Sequence, residues 1–107
     1  MIRNDEITYN RMGRTDMYIS NIGLGGQAIS GRFCNNDDSL SMQTMKKAIN
    51  NGINWFHTAP SYGTGYGEMM IGRFLKEIPR DERPYVFTTV TWVFDREDEG
   101  DDKAVRV

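Results

Sequence analysis

The order of apolar patterns along this chain predicts an α/β fold built on a parallel sheet. Three observations carry that reading. β-prone runs alternate with two runs of helical apolar spacing, the connections between them are of ordinary length, and a hairpin signal precedes the series. The size fits one modest domain: 107 residues, 38% apolar and 26% charged, with only three prolines, is a globular composition and not that of a disordered chain.

Each element has its own warrant. Ile7 to Met12 and Met17 to Ser20 partly alternate and flank Gly13-Arg14-Thr15-Asp16, a hairpin signal with Gly13 free to take a positive φ. A short apolar strand, Ile22-Gly23-Leu24-Gly25, leads into a glycine-rich loop that runs to about Asp38. Ser39 to Asn51 reads as a helix, because Met42, Met45, Ala48 and Ile49 share one face. Gly52 suits its C′ position, and Asn36, Asp37 and Asp38 are N-cap candidates. Ile53-Asn54-Trp55-Phe56 is β-prone and ends near His57; a loop with Pro60, Gly63 and Gly65 follows. The second helix runs from Gly67 to Ile78, where Ile71, Phe74, Leu75 and Ile78 match the i, i+3, i+4, i+7 template and Pro79 stops it. Tyr85 to Val90 is a β-branched and aromatic strand. The resulting β-α-β-α-β order fits a doubly wound nucleotide-binding sheet or the start of a (β/α)8 barrel.

Charge narrows the partners. The formal net charge is -2, from 13 Lys+Arg against 15 Asp+Glu, and no basic stripe marks a nucleic-acid surface. The amino terminus lacks the apolar region of a signal peptide, and no run approaches the ~20 apolar residues of a membrane span. The expectation is a cytoplasmic protein without a membrane or nucleic-acid partner. One cysteine, Cys34, excludes an intrachain disulfide framework and a cysteine-rich zinc site, and no metal site is expected. Residues 95–107 hold six acids and three bases, with only Ala104, Val105 and Val107 apolar. They read as an acidic, disordered loop beside an ordered portion over residues 1–94.

Two glycine clusters bear on chemistry. Gly23-Leu24-Gly25-Gly26-Gln27-Ala28 satisfies G-x-G-x-x-A after a strand, but a dinucleotide site needs a helix to open within the motif and an acid at the end of the next strand. Here a loop follows, and His57 occupies the acid's position. The doubly wound reading is therefore rejected. Gly63-Thr64-Gly65-Tyr66-Gly67 lacks the ending of a phosphate-binding P-loop and reads as a tight exposed turn into the second helix.

Five blocks resemble the aldo-keto reductases, in order and spacing, over roughly residues 7–92. They are Arg11 to Thr15, Ile22 to Gly25, Asn51 to Asn54, Thr58 to Gly63 and Gly67 to Leu75. The resemblance implies the first three strands of a (β/α)8 TIM barrel, incomplete, with the hairpin closing its bottom. It also implies a nicotinamide cofactor, usually NADPH, at the C-terminal strand ends, and reduction of a small carbonyl substrate. In that family a tyrosine gives the proton, tuned by a lysine paired with an aspartate, because an untuned phenol titrates near ~10. Tyr62 stands at the tyrosine position, His57 at the aspartate position and Thr89 at the lysine position. The family's histidine has no equivalent here. Gly25, Gly26 and Gln27 stand where the family often has Gly-Thr-Trp near the nicotinamide.

Losing the aspartate and lysine together avoids stranding one charge of a buried pair, which typically costs ~3–5 kcal/mol. A barrel of this type takes ~250 residues and three of its eight strands are counted here, so the expectation is a C-terminally truncated family member with little or no activity. The alternative is a non-catalytic pseudoenzyme fragment that binds a partner, or itself, through open sheet edges.

Overall fold

The computed structural model describes residues 6–27, 29–30, 37–90, 92–94 and 104–106, the last two segments as backbone only. The readings made on Cys34, on Ala28 and on most of the glycine-rich loop lie outside these residues. Strands β1 (Tyr9–Arg11) and β2 (Tyr18–Ser20) form the antiparallel hairpin, with Arg11 opposite Tyr18 and Tyr9 opposite Ser20. Its turn uses Gly13 at φ +56°, and the amide of Met12 donates to the carbonyl of Met17 at 2.8 Å.

Strands β3 (Leu24–Gly25), β4 (Trp55–His57) and β5 (Tyr85–Phe87) form a parallel sheet in that order. Helix α1 (Asp38–Asn50) crosses from β3 to β4, and α2 (Tyr66–Glu77) from β4 to β5. The described residues form no closed barrel. Asp37 caps α1, its Oδ1 accepting the Leu40 amide at 2.8 Å. At the other end Gly52 takes φ +95°, and the amides of Gly52 and Ile53 reach back to the carbonyls of Ile49 and Ala48. That is a Schellman ending, which a side chain at residue 52 would strain. Helix α2 stops because Ile78 precedes Pro79 and so prefers extended backbone, observed at φ -119° and ψ 151°.

Phe56 and Phe74 stack tilted, with centroids 6.0 Å apart, among Met45, Ala48, Met70 and Ile71; all six are buried. The row Leu24, Phe56, Val86 therefore faces the helices, and alternation turns the row Gly25, His57, Phe87 to the opposite face. Val86, at the edge of that row, is 37% exposed. The opposite face is not the bare apolar surface that an open barrel suggests. Trp55 meets Phe87 edge to face at 6.0 Å, and its indole N–H donates to the carbonyl of Ser20 at 2.8 Å, so the hairpin covers part of it.

Three expectations are corrected. The first parallel strand pairs over Leu24–Gly25 only. The third ends at Phe87, not Val90, because β4 ends at His57 and offers one further bond, from the Thr58 amide to the Phe87 carbonyl at 2.8 Å. The acidic tail is not wholly without structure, since β7 (Ala104–Arg106) pairs antiparallel with β6 (Trp92–Phe94), placing Val105 opposite Val93. A short run containing a β-branched residue suits such a ladder. The rest of the tail lies outside the described residues.

Candidate active site

The register brings the C-terminal ends of the three parallel strands into one row, Gly25 beside His57 beside Phe87. His57, the last residue of β4, is half-buried. Tyr62 begins a short 3-10 turn (Tyr62–Gly65) that leads into α2. The turn swings its ring back over the strand end, edge-on to the His57 imidazole, with centroids 5.9 Å apart and planes at 70°. Two of the predicted residues thus meet directly.

The other predicted positions divide. Gly25 is exposed, and a Cβ there would meet nothing within 4 Å, so the strand end is open beside His57. Gly26 is buried and serves packing, because a Cβ would overlap the His57 carbonyl oxygen. Gln27 is half-buried, and its carbonyl accepts from the Ser30 hydroxyl at 2.5 Å. Thr89 is exposed, two residues past the last paired position of β5. Its neighbour Thr88 reaches across instead, donating from Oγ1 to Glu68 Oε2 on the first turn of α2 at 3.0 Å.

One cluster went unseen in the sequence. The Tyr66 hydroxyl donates to Asp38 Oδ1, and Arg73 Nη1 bonds Asp38 Oδ2 at 3.1 Å, joining the start of α1 to α2. The Tyr66 bond, then Arg73, holds the Asp38 carboxyl below its ordinary value, while Asp38 pushes the Tyr66 phenol up. These partners lie 28 and 35 residues apart. Only the acid in a first helical turn was a local signal. Beneath the site, Thr58 is 2% exposed and its Oγ1 has no hydrogen-bond partner.

For the nicotinamide cofactor that the resemblance implies, the described residues offer an open strand end. Gly25 leaves that end open beside His57. The described residues that connect the three strand ends to the next element include no Lys or Arg for a diphosphate. Among the described residues, no group of three His, Cys, Asp or Glu could hold a metal ion, and no helix is long and apolar enough to cross a membrane.

A hairpin followed by parallel strands and helices in alternation fits the opening of a (β/α)8 barrel. Comparison with known proteins narrows it. The sequence model of the Aldo/keto reductase family matches residues 21–106, and the chain belongs to that family. It is 38% identical over 74 residues to an NADH-specific methylglyoxal reductase of Escherichia coli (strain K12), covering 66% of this chain and 23% of that protein. It is 33% identical over 81 residues to the aldo-keto reductase YhdN of Bacillus subtilis (strain 168), covering 75% of this chain and 24% of that one. The chain therefore spans about a quarter of the length of these relatives.

Among solved structures, the holo form of an aldo-keto reductase from Bacillus halodurans superposes with a TM-score of 0.73 at 23% identity, over 94% of this chain and 30% of that one, a likeness of fold. A glycerol dehydrogenase from Gluconobacter oxydans gives 0.70 at 33% identity, over 92% of this chain and 30% of that one.

Proposed function

We propose that this chain carries the proton-donating half of a carbonyl reductase site, with Tyr62 as the donor. The observation that supports the reading is the edge-on pairing of Tyr62 with His57 at the open strand end beside Gly25. The family's cofactor, NADPH or NADH, supplies a hydride to the carbonyl carbon when bound. Tyr62 gives its hydroxyl proton to the carbonyl oxygen of a small aldehyde or ketone, and the phenolate recovers a proton from water. His57 holds the tyrosine ring at the strand end. No cation stands in the lysine's position, where Thr89 is exposed, so turnover by this chain alone is slow or nil.

Reduced-nicotinamide consumption with methylglyoxal and small aldehydes, run with NADPH and NADH in parallel, tests the reading. Positioned general acids contribute about 10²–10⁴-fold, so Tyr62→Phe should remove any turnover. An unchanged rate in Tyr62→Phe would overturn the assignment. A second reading, binding of a partner or a second copy along the β5 edge, is favoured by the exposure of Val86 (37%) and Val90 (80%). It predicts a folded chain that neither binds nor consumes reduced nicotinamide and self-associates as concentration rises.

A further inference from the structure

We infer that Gly67, on the first turn of α2, is a positioning residue that sets the Tyr62 ring against His57. The inference concerns the same site and takes its importance from the reading of Tyr62 as proton donor, but its geometry stands apart from activity. Gly67 is buried. A Cβ on it would lie 3.2 Å from Tyr62 Cβ, 3.3 Å from the Tyr62 carbonyl oxygen and 3.4 Å from Thr58 Oγ1. None of these is the loose end of a flexible side chain. The first two move only with the backbone of Tyr62, and the third belongs to a residue 2% exposed.

The turn has no slack on its other side. The three residues after Tyr62 are all left-handed: Gly63 at φ +60°, Thr64 at φ +55° and Gly65 at φ +92°. A β-branched residue in that region is rare and persists only where its surroundings hold it. A Cβ at Gly63 would stand 3.0 Å from the Cβ atoms of both Ser30 and Tyr66, so the turn is seated closely there as well. Gly63, next to Tyr62, is thus closely seated between Tyr66 on α2 and Ser30. A methyl at residue 67 therefore displaces the Tyr62 backbone by a few tenths of an ångström. It tilts Tyr62 at Cβ, and the tilt grows along the side chain until the ring leaves His57.

Gly72 supplies the control. It lies on the same helix, and a Cβ there meets nothing within 4 Å. Alanine is the better helix former at both positions, so propensity alone predicts that both variants keep or gain stability. Only the Gly67 variant should move the ring. His57 is the single histidine of the chain, so its imidazole protons are unambiguous in an NMR spectrum.

The experiment uses the full chain and compares wild type, Gly67→Ala and Gly72→Ala, reading ring-to-ring NOEs, the His57 Cε1–H shift and the urea midpoint. Wild type and G72A should show the His57–Tyr62 NOE. G67A should lose it and move the His57 shift toward that of free histidine, while still unfolding cooperatively in urea. A folded G67A that keeps both signals overturns the inference, as does a wild type without the NOE. Should G67A fail to fold, it is remade with Tyr62→Gly, which removes the Cβ that the new methyl meets. Recovery of folding supports the inference and continued failure overturns it. A wild-type NOE with a reductase rate unchanged in Tyr62→Phe defeats the functional reading alone, and an unmoved ring in G67A defeats the positioning alone.

Discussion

Replacing Gly23 with alanine should destabilise the chain by up to about 2.6 kcal/mol, opposite in sign to the usual effect. Where the backbone tolerates it, Gly→Ala stabilises by about 0.4–1 kcal/mol by restricting the unfolded chain. Here a Cβ on Gly23 would overlap the six-membered ring of Trp55. The indole cannot shift cheaply, because its N–H is bonded to the Ser20 carbonyl at 2.8 Å and its ring meets Phe87 at 6.0 Å. Making room for a methyl forfeits both contacts. The hydrogen bond is worth about 0.5–1.5 kcal/mol net and the aromatic pair about 0.5–1.5 kcal/mol. Urea denaturation followed by tryptophan fluorescence measures the change, in a Trp92→Phe background so that Trp55 is the sole reporter. A parallel pair in a Trp55→Ala background, followed by circular dichroism, closes a double-mutant cycle. The reasoning is refuted if Gly23→Ala stabilises, or if its cost is the same with and without the indole.

Other outcomes follow from single contacts. Asp37→Ala removes the cap on α1 and should cost about 1 kcal/mol by urea melting, whereas Asp37→Ser, which also caps well, should cost far less. The Asp38 carboxyl is held below its ordinary 3.8, so its contribution is present above that pH and is lost as pH falls through the depressed value. The Tyr66 phenol is raised above its ordinary 10.0, so its contribution is present below that pH and is lost as pH rises through the raised value. The stability difference between wild type and Tyr66→Phe should therefore be flat near neutrality and shrink at both extremes. A difference that grows in acid would contradict the bond.

Local chemistry was legible in the sequence and distant contact was not. The hairpin, the alternation of strands and helices, the left-handed Gly13 and Gly52 and the cap from the Asn36 to Asp38 cluster all rest on neighbours within a few residues. Strand ends failed because pairing, not propensity, sets them. Thr88 to Val90 are β-prone, yet β4 ends at His57 and leaves them no partner there. The site was half legible. Tyr62 and His57, five residues apart, meet as rings. The bond from Thr88 to Glu68 and the cluster of Asp38, Tyr66 and Arg73 depend on how α2 lies against its neighbours, which no local pattern encodes.

Asn54 has a consequence for the order in which the chain folds. Its side chain accepts the Ser20 amide and donates to the Tyr18 carbonyl, each at 2.8 Å, while its own amide donates to Ser20 Oγ. These bonds join residues 34 and 36 positions apart. The hairpin closes across a short turn, but it docks only after the whole of α1 has been spanned and Asn54 has been brought up with β4. Loop closure rises by only about 0.6 kcal/mol per doubling of length, so that span costs little more than a shorter one would. Hairpin closure and hairpin docking should thus be separate kinetic events. The docking step carries the Trp55 indole onto Ser20, so in a Trp92→Phe background it should be the step that changes tryptophan emission.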